Sequence, residues 1–99
     1  MSEQNWTSSE RRYLKSQAHH LKPVMQIGKE GVSSGFLVEL DQQLDIHELM
    51  KLRVLNNCEF DIKSLTEGVE GSGAAVIQKV GHVLTVFRQR KKDSAFQIS

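Results

Sequence analysis

The run Val24-Met25-Gln26-Ile27-Gly28-Lys29-Glu30-Gly31-Val32-Ser33-Ser34 decides how the chain is read. It opens as an apolar strand over 24–28, turns through Gly-x-x-Gly, and enters a helix for which Ser33 is the expected N-cap. Gly28 and Gly31 carry no Cβ, so the backbone between them is free to take positive φ and approach a ligand closely. The turn empties into a helix N-terminus, where unpaired backbone N–H groups and the helix dipole favour an anion. Lys29 adds a flexible positive charge at the tip. Such a turn suits a phosphate of a nucleic-acid backbone. Two glycines around a tight strand-to-helix turn can also serve geometry alone, so the surrounding chain has to decide between the two.

Upstream, Thr7-Ser8-Ser9-Glu10 has the form of a capping box and starts a helix. Pro23 disfavours helix at Lys22, which ends the element by His20 or Leu21. Leu14, Ala18 and Leu21 make an apolar stripe at helical spacing, and Arg11, Lys15 and His19 make a basic stripe beside it. The basic stripe is either a binding face or a solvated one.

Downstream, the helix over 33–45 places Phe36, Leu37, Leu40 and Leu44 on one side and Glu39, Gln42, Gln43 and Asp45 on the other. Residues 48–55 alternate as a strand, with Met50, Leu52 and Val54 facing one way and Leu49, Lys51 and Arg53 the other. A third helix spans 60–70, with Asp61 as a candidate cap and Ile62, Leu65 and Val69 on its apolar side. Gly68 costs it about 1 kcal/mol relative to Ala. Residues 75–80 and 83–90 are β-rich runs joined at Gly81-His82, a hairpin connection. The predicted order is α-β-α-β-α-β-β, an α+β fold or α/β sandwich in two layers, with a mixed sheet. Residues 7–90 form a single domain, and residues 1–6 and 93–99 are expected to be flexible ends.

Composition narrows the function. The 99 residues hold 13 Lys and Arg against 12 Asp and Glu, a net charge of +1, so any affinity for nucleic acid must come from where the charges lie. Acidic residues gather mid-chain, while basic ones dominate 11–29 and 79–92, which gives a polarised surface if the two basic segments meet. The single Cys58 excludes an internal disulfide, and no apolar run is long enough to span a membrane. A cytoplasmic protein, without membrane contact and monomeric, is expected. No nucleophile with its base and no nucleotide loop can be found. The Gly28-Lys29 pair is not a phosphate-binding loop of the Walker type, because Pro23 stands where its first glycine belongs and no Ser or Thr follows Lys29. His19, His20, His47, Cys58 and His82 lack zinc-ligand spacing. The chain is therefore not expected to be an enzyme or to carry a metal or cofactor.

Leu14-Lys15-x-x-Ala18-His19-x-Leu21-Lys22-Pro23-Val24-x-x-Ile27-Gly28-Lys29-x-Gly31-Val32-x-x-Gly35 resembles the signature of the YhbY or CRM family of small RNA-binding proteins. Gly73-Ala74 before a strand and Phe87-Arg88 at the end of the last one extend the resemblance from Thr7 to Arg90. It implies a four-stranded mixed sheet with three helices, similar to the C-terminal domain of bacterial translation initiation factor three, with the last strand between the second and third. It also implies RNA as the partner, held by the glycine loop and an adjoining basic surface. For a single domain without extensions, it further implies ribosomal RNA of the large-subunit precursor and a part in ribosome assembly.

Carried over residue by residue, the loop is Gly28, Lys29, Glu30 and Gly31. Glu30 departs from an ideal phosphate turn, since its carboxylate repels a phosphate unless it points away or reads a base edge. Arg11, Lys15, Lys22, Lys51, Arg53, Arg88 and Arg90 are the candidate cations of the surface. Phe87 either stacks on a base or covers the core under the first helix. The rival reading is a protein-interaction adaptor on the ribosome, with a purely structural glycine loop and acidic helices that meet a ribosomal protein.

Overall fold

In the computed structural model, which describes residues 6–96, local signals set the helix starts. Thr7 and Glu10 close a reciprocal capping box at the head of α1 (Ser8–Ala18). Ser33 Oγ accepts from the Phe36 N–H at the head of α2 (Ser34–His47), and Asp61 accepts from the Ser64 N–H at the head of α3 (Ile62–Glu70). The strands are β1 (Pro23–Ile27), β2 (Leu49–Val54), β3 (Ala75–Val80) and β4 (Val83–Phe87). The element order is the one the sequence predicts.

The sheet order is β1-β2-β4-β3, with β1 and β2 parallel and β4 antiparallel to both of its neighbours. The last strand thus inserts between the second and third, as the family resemblance implies. β4 is shorter than the 83–90 expected, because Arg88 and Arg90 leave the ladder to bond the α2 side of the molecule.

Strand alternation sorts the interior into two cores. Met50, Leu52, Leu84 and Val86 point to one face, where they pack with Leu40 and Leu44 of α2 and Leu65 and Val69 of α3. Leu49 and Phe87 point to the other, with Ala75 and Ile77, under Leu14 and Ala18 of α1. Helices therefore cover both faces, and the expected two-layer sandwich becomes three layers. The physical reason is that β2 and β4 carry apolar residues at odd and even positions alike over 49–50 and 86–87, which demands a cover on each side. Leu52 and Leu84 are fully buried, and truncating either to Ala should cost about 2–5 kcal/mol.

α1 covers only part of its face. The ends expected to be flexible fill out that part: Trp6 and Phe96 set their rings edge-on to Phe87, with centroids 5.2 and 5.4 Å away. Ser94 and Ala95 bond the Glu48 carboxylate, so Trp6 and 94–96 are packed parts of the domain. Residues 1–5 and 97–99 of those expected ends lie outside the described residues.

Candidate nucleic-acid interface

The glycine turn follows directly from β1. Gly31 N–H donates to Gly28 C=O at 3.0 Å, closing the four-residue turn, and Leu55 N–H donates to Ile27 C=O at 2.9 Å, tying its base to the end of β2. Gly31 sits at φ +65°, and a Cβ there would lie 2.6 Å from Cδ2 of Phe60. The position therefore favours glycine on two separate grounds, a positive φ and the close approach of the Phe60 ring. Gly28 is different: its added Cβ would meet Asn57 and Leu55 at ordinary contact distance. Val32 then wedges against α3 at Gly68, where a Cβ would come within 3.1 Å of the Val32 side chain. That close approach accounts for a glycine inside α3.

Lys29 and Glu30 stand exposed at the tip of the turn, and Ser34 and Gly35 stand exposed at the start of α2. A Cβ on Gly35 would meet nothing within 4 Å. The Ser33 cap engages Phe36 N–H, and Ser33 C=O accepts from Leu37 N–H. The first N–H groups of a helix have no intrahelical acceptor, so those of Ser34 and Gly35 face an open surface next to the turn.

α1 leaves part of its sheet face open, where Val24, Gln26 and Arg53 are exposed. A groove of about 370 Å³ runs there between the C-terminal end of α1 and the strands, lined by Lys15, His19, Lys22, Lys51, Gln78 and Thr85 among others. Arg53 follows Lys51 on the same face by strand alternation and pairs in register with Gln26 of β1 and Val83 of β4. Lys15, Lys22 and Lys51 line this groove together, Arg53 lies two residues further along β2, and Lys29 stands at the tip of the turn beyond the end of β1. Among the described residues none of these five makes an ion pair.

The remaining candidate cations lie elsewhere. Arg88 bonds Asp41 at 2.6 Å and Asp45 at 3.0 Å, together with the carbonyls of Ser72 and Asp41. Arg90 donates to the Asp45 and Ile46 carbonyls at the C-terminal end of α2, to Asp93 C=O, and lies 3.6 Å from Glu48. Arg11 donates to the carbonyls of Trp6 and Val76, stapling α1 to β3. These three arginines, expected on the basic surface, serve the fold because acidic side chains and open carbonyls reach them first. Arg88 and Arg90 also sit at the far end of the sheet. Phe87 pairs with Leu49 at the start of β2, and the turn lies beside Val54 at its end, about 17 Å away along the strand. The turn and the Arg88–Arg90 cluster therefore lie at opposite ends of the sheet.

Phe87 is fully buried under α1, which leaves the core role of its two expected alternatives. Phe60, on which the sequence reading places no role, lies half-exposed against the turn.

Glu48 organises the far end. Its backbone takes φ 62°, its side chain is buried, and its carboxylate accepts from Arg90 N–H, Ser94 Oγ–H and Ala95 N–H. Burial pushes its pKa up, but the three hydrogen bonds and the Arg90 charge outweigh it and hold the carboxyl below the usual range. Among the described residues no three His, Cys, Asp or Glu side chains gather within reach of a metal, and no helix is long and apolar enough to cross a membrane.

The fold and site define a class: a small α+β domain with one open, cation-lined sheet face flanked by a glycine turn. The CRS1 / YhbY (CRM) domain matches residues 6–88, and the chain belongs to that family. It is 33% identical to "Probable RNA-binding protein YqeI" of Bacillus subtilis over 93 residues, covering 93% of this chain and 97% of that protein. It is 34% identical to an "RNA-binding protein" of Haemophilus influenzae over 84 residues, covering 83% of this chain and 84% of that one. The solution structure of the hypothetical protein SAV1595 from Staphylococcus aureus superposes with a TM-score of 0.78 at 31% identity, covering 96% of this chain and all of that one.

Proposed function

We propose that the protein is a non-catalytic RNA-binding protein that acts in the cytoplasm as a monomer, holding ribosomal RNA of the large-subunit precursor during its assembly. One phosphate sits at the Gly28–Gly31 turn, facing the Ser34 and Gly35 N–H groups and Lys29. The strand continues along Arg53, Lys51, Lys22 and Lys15. The observation that carries this reading is the set of five cations around the groove and at the turn, none with an ion pair among the described residues, in a chain whose net charge is only +1. The names of the relatives support RNA as the class of partner. Membership of the family supports the ribosomal assignment through the resemblance that residues 14–35 carry.

The test is a salt titration of binding to single-stranded RNA and to purified large-subunit precursor particles. Wild type should lose affinity with a slope of log K on log salt of roughly −0.7 per phosphate neutralised. The Lys29→Ala, Lys51→Ala, Arg53→Ala triple variant should bind more weakly with a shallower slope. Lys63→Ala, on the exposed side of α3, should behave as wild type. Retention on particles by the triple variant, with neither protein binding naked RNA, would favour a protein interface instead. Val38 and Ile46, both more than 60% exposed on α2, are where that interface would fall.

A further inference from the structure

We infer that Phe60 is a stacking platform for the base of the nucleotide whose phosphate occupies the Gly28–Gly31 turn, an inference that rests on the RNA reading above. Phe60 is the only exposed Phe, Tyr or Trp among the described residues. Trp6, Tyr13, Phe36, Phe87 and Phe96 are all at least partly buried. Half of the Phe60 surface is open although an apolar core lies close by. The other side of the ring rests on Gly31, near enough that a single added carbon would lie within 3.0 Å of two of its atoms. The ring and the turn are therefore packed directly against each other.

The backbone beneath the ring is fixed on both sides. Cys58 N–H donates to Leu55 C=O before it, and Asp61 caps α3 after it. A ring held this way loses little freedom when a base lies on it, the condition under which stacking contributes most. Charge decides which part of the nucleotide belongs there. Glu59 and Asp61 flank Phe60, and both repel a phosphate while leaving an uncharged base unaffected. Lys29 at the exposed tip of the turn and the α2 N-terminus that follows it are what draw the phosphate. Stacking requires only a π-face, so the platform accepts any base and adds affinity without dictating sequence.

Phe60 could instead be only a staple that keeps the turn in shape, and a base-free ligand separates the two roles. The probes are a twelve-residue oligoadenylate and a ribose-phosphate chain of the same length lacking bases, measured by fluorescence anisotropy at low salt. Wild type should bind oligoadenylate about tenfold more tightly than the abasic chain, a one-ring contribution. Phe60→Leu, which keeps apolar packing on Gly31, should bind both chains at the wild-type abasic affinity, and Phe60→Tyr should restore the preference. Equal weakening of both chains by Phe60→Leu would show a staple and overturn the inference, as would an unchanged preference in that variant. Failure of wild type to bind either chain would overturn the RNA reading, and this inference with it. Salt-dependent binding without a base preference would overturn the inference alone.

Discussion

The two ends of one sheet treat their arginines and lysines in opposite ways. At the end of β2 beside the glycine turn, Lys29, Arg53 and Lys51 have no acidic partner among the described residues: Lys29 stands exposed in the turn, and Lys51 and Arg53 share the sheet face that carries the groove. At the start of β2, where β4 ends, Arg88 and Arg90 are held by Asp41, Asp45, Glu48 and the last carbonyls of α2. The chain itself draws no distinction between the cations of the two ends. What separates them is whether α2 presents carboxylates within reach: Asp41 and Asp45 lie one helical turn apart and clamp one guanidinium between them. A cation that is satisfied internally contributes stability, and one left open is available to an anion.

The largest effect should come from the turn. Gly31→Ala forces a left-handed residue with a Cβ into the Phe60 ring, and the backbone term alone costs about 1–3 kcal/mol. Thermal melts should report a loss of at least that size, and RNA affinity should fall with it because the turn and the start of α2 shift together. Gly28→Ala is the control. Its Cβ meets only ordinary neighbours, so stability should stay within about 0.5 kcal/mol of wild type. Equal losses in both variants would mean that the two glycines share one role, and the contrast between them would fail.

Next in size is the far end. Glu48→Gln removes a buried charge that accepts three hydrogen bonds, and should cost about 1–3 kcal/mol at pH 7. Because the folded pKa of Glu48 lies below its ordinary value of 4.5, its contribution is fully present above about that pH and disappears as pH falls through the lower folded value. Urea titrations between pH 7 and pH 3 should therefore show the gap between wild type and Glu48→Gln closing only in acid. A gap that widened on acidification would contradict the lowered pKa. Arg88→Ala should cost about 1–2 kcal/mol, limited because Asp41 and Asp45 are mostly solvent-exposed, and should leave the salt slope of RNA binding unchanged.

Element order, the three N-caps and the two-faced pattern of β2 are legible in the sequence, because each depends on neighbours within a few residues. Thr7 with Glu10, Ser33 and Asp61 announce helix starts by local hydrogen bonding. The layer count is not legible. Whether α1 joins α2 and α3 or crosses to the other face depends on Leu49 and Phe87 both pointing away from α2, a fact about paired register across 38 residues of chain. The glycine turn is visible as a motif, but its packing is not, since Phe60 reaches Gly31 only after β2 and α3 are in place. Arg88 and Arg90 read as surface cations for the same reason: the acidic groups that hold them lie more than forty residues away in sequence.

The smallest effect on stability is also the one that most sharply divides the two ends. Lys51→Ala and Arg53→Ala remove side chains that form no ion pair among the described residues, so each should change the melting free energy by less than about 0.5 kcal/mol. In RNA binding the same substitutions should each reduce the salt slope by roughly 0.7, the signature of one phosphate no longer neutralised. Arg88→Ala should do the reverse, with lower stability and an unchanged slope. Plotted against each other, stability loss and slope change should place the variants of the two ends on different axes. If Arg53→Ala destabilised the fold without altering the slope, Arg53 would join Arg88 as a structural cation, and the phosphate path would have to leave the turn through Lys51 and Lys22 alone.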